Sequence, residues 1–541
     1  MNKFIFTLTF LFSTIFLNAQ CEGPGEAQID LAVNNISARL LNSGDMWWDG
    51  QSGKYITPSD GIEEVTAIFA GAIWIGGQDQ NLNLKLAGQT YRNGDRTDYS
   101  PGPLDITGNS FVDGCLNWDR FFVINRTEVQ AHNTDFNNDG TIDNPLDNIY
   151  GWPGRGNIHF SGIHGFELPL EQDLAPFFDL NQDGIYNPDH GDYPKMKGDQ
   201  SIWWVFNDNS QSHTSTFSTP LQFEFQVMAY AEASNSIHLN NTTFYDYTII
   251  NKASEPLMNA YMGLWVDFDL GCITDDYLGF SEELQTMYVY NKDAIDGDQE
   301  GSCQRDVNSY GENIPMVGIT QIGQPVSSFM VMSLIEIAPV SSPFSTPEYY
   351  NYLRGLWRDG TPLTFGSFGY DPTSTDTTFF SFQDDPSDPN GWSMCSEDLF
   401  LFYINAIMKT SLGTVQSGQS IKTTYAVVVV EDVPHPCPSL DLLSEAILEI
   451  TNNLPTSTSE ITNNTEVSFY PNPAQNFVDI ESSSIINRVE LFNLEGQLIS
   501  AIEDNRRVLT LQLDDVNSGI YVVRITDAEG NTHSEKLVVV K

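Results

Sequence analysis

The residues best placed to do chemistry are carboxylates and amides at short, regular spacing. Asp135, Asn137, Asp139, Thr141 and Asp143 alternate through one short segment, with Gly140 at its sixth position. Such a run turns oxygens at positions 1, 3, 5, 7 and 9 towards one point, collecting hard ligands for calcium at about 2.3 to 2.6 Å. A second copy reads Asp179, Asn181, Asp183, Ile185, Asn187 and Asp189, with Gly184 at the turn. Where a regulatory calcium loop ends in Glu, these have Leu146 and His190, and no helix is evident beside either. Two copies favour calcium over the plainer alternative, metal-free Asx turns. A third cluster, Asp267, Asp269, Asp275 and Asp276, stands at the end of a predicted strand. Carboxylates this close repel one another unless a cation or protons intervene, and calcium is the economical answer. The rival is an acid/base pair for glycoside hydrolysis, two carboxylates about 5 to 9.5 Å apart. With 72 acidic residues such pairs arise by chance, which weakens it.

Other chemistry has little support. There is no HExxH helix for zinc, no GxSxG elbow and no phosphate-cradling GxxxxGKS loop. His159 and His164 flank Ser161 in Gly-rich sequence and read as loop histidines, with nothing to fix a triad. Trp47-Trp48 and Trp203-Trp204 would each put one ring in the core and one outside, so a sugar-stacking platform is the weaker reading.

The elements that must hold these loops read as strands. Leu221 to Val227 alternates apolar and polar residues, the period of a half-buried strand. Similar strands are predicted at Val65 to Ile75, Phe244 to Ile250, Tyr261 to Phe268, Met287 to Tyr290, Phe329 to Ile337 and Thr423 to Val430. One short helix is predicted with Thr346 as N-cap and Pro347 first, carrying Tyr349, Tyr350, Leu353 and Trp357 on one face; a second runs from Leu440 to Ile450. The fold class is all-β: a large β-sandwich-type body over 20–450, as one or two units, with long acidic loops. Residues 451–465, rich in Asn, Thr and Ser, read as a linker. From 466 to 541, seven short strands separated by turn signals suggest a small immunoglobulin-like sandwich.

Of 541 residues, 72 are acidic and 24 basic, a formal charge of -48. A surface this negative repels phosphate backbones and attracts divalent cations, which excludes nucleic acid as a partner. Residues 1–19 have Lys3, an apolar run from Phe4 to Leu17 and Asn18-Ala19 before Gln20, the pattern of a secretory signal peptide. No later stretch approaches the roughly 20 apolar residues of a membrane helix. Six cysteines (Cys21, Cys115, Cys272, Cys303, Cys395, Cys437) without a CxxC pair read as structural disulfides in an oxidising compartment.

Phe469-Tyr470-Pro471-Asn472-Pro473, Leu491-Phe492-Asn493-Leu494, Ser518-Gly519-Ile520-Tyr521 and the terminal Lys536 to Lys541 resemble the type A C-terminal sorting domain of Bacteroidota type IX secretion cargo. The resemblance implies engagement of the type IX machinery, passage through the periplasm, and release or attachment to surface lipopolysaccharide. Trp47-Trp48-Asp49, Ile73-Trp74-Ile75-Gly76-Gly77, Tyr186 to Tyr193, Trp203-Trp204 and Trp265 to Gly271 are similar to the large N-terminal region of many such secreted proteins, a group without assigned activity. The acidic loops resemble the shortened calcium loops of dockerin and thrombospondin type 3 repeats. The resulting expectation is a calcium-stabilised structural or adhesive protein with a glycan or protein ligand. A secreted hydrolase of polysaccharide or peptide, or a carbohydrate-binding protein, is the alternative.

Overall fold

Long runs of β-branched and aromatic residues build two nine-stranded antiparallel sheets in the body. The computed structural model describes residues 23–541 except 59–63, 93–95, 171, 298–308, 334–338, 400–402, 455–466, 471, 473, 494–497, 514–515 and 528–531. The export signal, Cys21, Cys303 and most of the linker lie outside the described residues. Two compact units divide after Thr458.

The first sheet runs in the order Gln28–Leu31, Ser37–Leu41, Asp45–Met46, Thr66–Gln78, Leu257–Phe268, Ile404–Val415 and Ser328–Ser333. The second runs Asp276–Ser281, Thr286–Asn291, Met316–Ile322, Ser420–Val430, Thr242–Asn251, Phe223–Ala231, Gln200–Asn207 and Ser100–Pro101. One continuous apolar core joins them. Across it the Trp47 indole N–H donates to the Tyr245 hydroxyl at 2.9 Å, and the Tyr55 hydroxyl meets Thr243 Oγ1 at 2.9 Å. The body is therefore one sandwich, with strands at every position expected from sequence. The strand begun at Phe329 is described only to Ser333.

Four local expectations change. Phe223–Ala231 is buried on both faces, not one. Glu224, polar and expected outside, is buried and accepts from the Leu104 amide at 2.8 Å, because the segment that follows Ser100 lies over that face. Trp47, Trp48, Trp203 and Trp204 are all buried, so neither pair presents an outward ring; Phe121 covers Trp204 with ring centroids 5.4 Å apart. A 14-residue helix, Arg126–Asp139, occupies polar sequence without an apolar stripe. A capping box starts it, with Glu128 Oε2 accepting from the Asn125 amide at 3.0 Å, and Gly140 at positive φ ends it. The helix Thr346–Arg354 is capped by Ser345 rather than Thr346, and Gly355 ends it before Trp357. The helix Asp441–Asn452 buries Leu443, Ala446, Ile447 and Ile450.

Among the described residues the C-terminal unit has five strands, where seven short ones were expected, in one sheet: Val467–Tyr470, Phe477–Phe492, Leu498–Gln512, Gly519–Asp527 and Thr532–Val539. Two predicted pairs fuse because the polar stretches between them are accommodated as register irregularities near Ile486 instead of turns. Cys395 and Cys437 form a disulfide, and Cys115 and Cys272 are also disulfide-bonded.

Candidate metal centre

The loop 269–275 carries the chain from Leu257–Phe268 in the first sheet to Asp276–Ser281 at the edge of the second. A register shift between Asp267 and Phe268 ends the regular pairing there. The crossover brings Asp267, Asp269, Asp275 and Asp276 together and adds a carboxylate not singled out from sequence, Asp296. The ligating oxygens of Asp275 and Asp296 lie within 4.8 Å of each other. The neighbouring Cys272 sulfur is in a disulfide and is not a free ligand.

Backbone amides fix these groups. Asp296 Oδ1 accepts from the Cys272 amide at 2.7 Å, and Asp276 Oδ2 from the Leu270 amide at 3.0 Å. The Tyr91 hydroxyl donates to Asp267 Oδ2. Gly271 has φ of 72°, and a Cβ there would collide with the Asp296 carboxylate, so the loop closes only around glycine. Among the described residues Asp275 Oδ1 and Asp276 Oδ1 are buried with no hydrogen-bond partner.

Burial raises every carboxyl in the group, and repulsion from nearby carboxylates adds to it at Asp269, Asp275, Asp276 and Asp296. Burial pushes Asp275 up to about 7, helped by Asp296, and Asp296 up to about 6. Burial likewise lifts Asp267 to about 7, and Asp269 and Asp276 well above the ordinary range, with Asp267 and Asp275 respectively adding repulsion. Among the described residues no ion pair reaches any of the five. Arg92 is close but committed, its Nη2 lying 2.7 Å from Asp45 Oδ1. Carboxylate oxygens gathered in this number are hard donors, of the kind that divalent cations take. A cavity of about 490 Å³ opens beside the cluster, lined by Asp267, Asp269 and Asp276 with Trp48, Phe69, Tyr91 and Tyr403.

The two shorter loops lie together elsewhere in the body. Asp135, Asn137 and Asp139 fall in the last turns of the helix Arg126–Asp139, so a helix does precede the first loop. Asp135 Oδ2 accepts from the amides of Asp143 and Asn144 at 3.0 and 2.8 Å; Asp139 Oδ1 accepts from the Thr141 amide at 3.1 Å. In the second loop Asp179 accepts from the Asp183 and Gly184 amides at 3.2 and 2.7 Å, Asn181 Oδ1 from the Asp183 amide at 3.2 Å, and Asp183 Oδ1 from the Ile185 amide at 2.8 Å. Asn187 Oδ1 accepts from the Asp189 amide at 3.1 Å, while the Asp189 carboxylate accepts from the Tyr150 hydroxyl at 2.6 Å and lies 3.1 Å from His159 Nε2. Asp192, missed from sequence, is buried and accepts from the Leu180 and Asn187 amides, both at 2.8 Å.

Residues 468–540 match the family described as the secretion system C-terminal sorting domain. The C-terminal unit is a type IX sorting domain. The protein is thereby a cargo of the type IX machinery, delivered to the exterior or the cell surface. Among the described residues no helix is long and apolar enough to cross a membrane. No curated protein matches the chain. Among solved structures, a CopC from Methylosinus trichosporium OB3b is 16% identical over 14% of this chain and 91% of its own, at a TM-score of 0.11. A polysaccharide lyase is 10% identical over 59% of this chain and 34% of its own, at 0.18. PorZ, a surface component of the type IX system of Porphyromonas gingivalis, is 9% identical over 67% and 47%, at 0.13. The chain thus spans about a third of the lyase and half of PorZ.

Proposed function

We propose that this type IX cargo is a calcium-stabilised extracellular protein of structural or adhesive kind. The observation that carries the reading is the crossover cluster: five carboxylates that, among the described residues, have no ion pair, two of them with buried oxygens that no described donor satisfies. A calcium ion there neutralises the repulsion and pins the crossover to both sheets, so binding adds directly to the stability of the folded body. The loops at 135–143 and 179–189 offer weaker, solvent-exposed sites. Extracellular modules bind calcium at about 10⁻⁴ to 10⁻³ M, which makes the body looser where calcium is scarce and firmer outside. Attachment to lipopolysaccharide through the sorting route is part of the same proposal.

The test is metal analysis of the purified mature protein with thermal melts in calcium and in EDTA. Bound calcium and a lower melting temperature on chelation support the reading; a metal-free protein whose melt ignores EDTA sinks it. The aromatic cavity beside Asp267, Asp269 and Asp276 favours a second reading, acid/base hydrolysis of a glycan or peptide, since carboxyls raised towards neutrality suit proton transfer. Turnover of a polysaccharide or peptide by chelated protein, lost in Asp267→Asn, would decide for it.

A further inference from the structure

Lysines and arginines number 24 against 72 acidic residues, so a cationic surface on this molecule is an exception. The body has one. A groove of about 940 Å³ crosses the outer face of the second sheet, over the strands Gln200–Asn207, Phe223–Ala231, Thr242–Asn251 and Ser420–Val430. Strand register sets Trp203, Met228, Asp246 and Thr424 in one row across these strands, and Gln226, Thr248 and Lys422 in the next. The segment between Arg155 and Lys197 forms the facing wall.

Four cations line the groove, Arg155, Lys195, Lys197 and Lys422, against two carboxylates, Asp173 and Asp246. Both carboxylates are already matched: Lys197 Nζ lies 2.6 Å from Asp246 and Arg155 Nη1 3.2 Å from Asp173. Lys195 and Lys422 are exposed and enter no ion pair among the described residues; the Lys195 ammonium sits 5.4 Å from the Phe178 ring centroid. Two lysines without an ion-pair partner among the described residues therefore line one concave, partly apolar space in a chain of formal charge -48. The surrounding acidity lowers the chance that a polyanion settles elsewhere, because field lines from the rest of the surface repel it.

We infer that this groove binds an anionic oligosaccharide. Its acid groups are held by Lys195 and Lys422, and its ring faces and hydroxyls rest on the mixed floor of Met228, Gln226 and Thr248. The volume is at the upper end of the roughly 300 to 1,000 Å³ of ligand pockets, which suits several linked units rather than one small anion. A short oligosaccharide can end within the groove, whereas a nucleic acid would extend its phosphates over the acidic surface beyond it. Export places the groove outside the cell, among polymers whose negative charge comes from uronate carboxylates or sulfate esters.

The test is affinity electrophoresis and calorimetry of the mature full chain, at low ionic strength and fixed calcium, with four probes: polygalacturonate, dextran sulfate, neutral dextran and polyglutamate. Binding of polygalacturonate or dextran sulfate, but not of neutral dextran, is expected; the comparison of the two says whether carboxylate or sulfate is read. The double variant Lys195→Glu/Lys422→Glu should weaken that binding by about tenfold or more, and added salt should weaken it further. Both positions are exposed, and an unchanged melting temperature will show that the variant folds. Lys85→Glu, on the first sheet, should bind as wild type. The inference is overturned if neither anionic glycan binds, if neutral dextran or polyglutamate binds equally well, or if the double variant binds undiminished.

Discussion

Replacing Asp276 with Asn should have opposite effects with and without calcium. Asp276 is 5% exposed; its Oδ2 accepts from the Leu270 amide, and its Oδ1 has no partner while facing the charge of Asp275, Asp296 and Asp267. Asparagine keeps one oxygen for Leu270, turns an amide donor towards the neighbouring carboxylates and can carry no buried charge. An unsatisfied buried group costs about 1 to 3 kcal/mol, so in EDTA the variant should be more stable than wild type by about that amount. In calcium the balance reverses. At about 10 mM calcium, ten to a hundred times the dissociation constants usual outside cells, one bound ion adds about 1.4 to 2.7 kcal/mol to the wild type. The variant, short of a charged ligand, loses most of that gain. Urea unfolding of the mature protein in EDTA and in calcium reads both numbers. A variant less stable in both media, or more stable by the same amount in both, would refute the argument that these carboxylates await a cation.

Lys409, 1% exposed on the strand Ile404–Val415, has no partner for its amine among the described residues, and burial holds its pKa well below the ordinary 10.5. The folded state thus carries fewer protons than the unfolded, so the cost is absent above about pH 10.5 and grows as pH falls towards the folded pKa. Lys409→Met should add about 1 to 3 kcal/mol at neutral pH and flatten that alkaline slope in melts from pH 7 to 10.5. Removing the Cys395–Cys437 bridge, which spans 42 residues, with paired serine substitutions should cost about 4 kcal/mol by chain entropy, read by urea unfolding. Deleting residues 459–541 should leave a folded, β-rich body that stays inside the cell envelope, since the units divide after Thr458 and the sorting domain lies beyond it; its appearance in the medium would count against the sorting assignment.

Local patterns carried much of this molecule. Short apolar runs rich in β-branched and aromatic residues mark strands buried on both faces, so Val65 to Ile75 and Thr423 to Val430 were legible as they stand in the sheets. The sorting motifs were legible because four short segments recur in fixed order. Patterns failed where tertiary cover or capping decided. Glu224 reads as a solvent position only until Leu104 and Lys252 are laid over it. The helix Arg126–Asp139 has no apolar stripe and is set by its end caps, Asn125 with Glu128 and Gly140.

The division is sharpest at the two sites. The sequence by itself determined an exported, acidic, β-rich chain and grouped Asp267, Asp269, Asp275 and Asp276 within ten positions, a stretch that could still extend over about 30 Å. Only the tertiary structure brought in Asp296, 20 residues beyond Asp276, and left two of the oxygens buried without partners. The groove was invisible in sequence for the same reason. Arg155, Lys195 and Lys422 are separated by up to 267 residues, and only strand register and the overlying segment place their charges in one space.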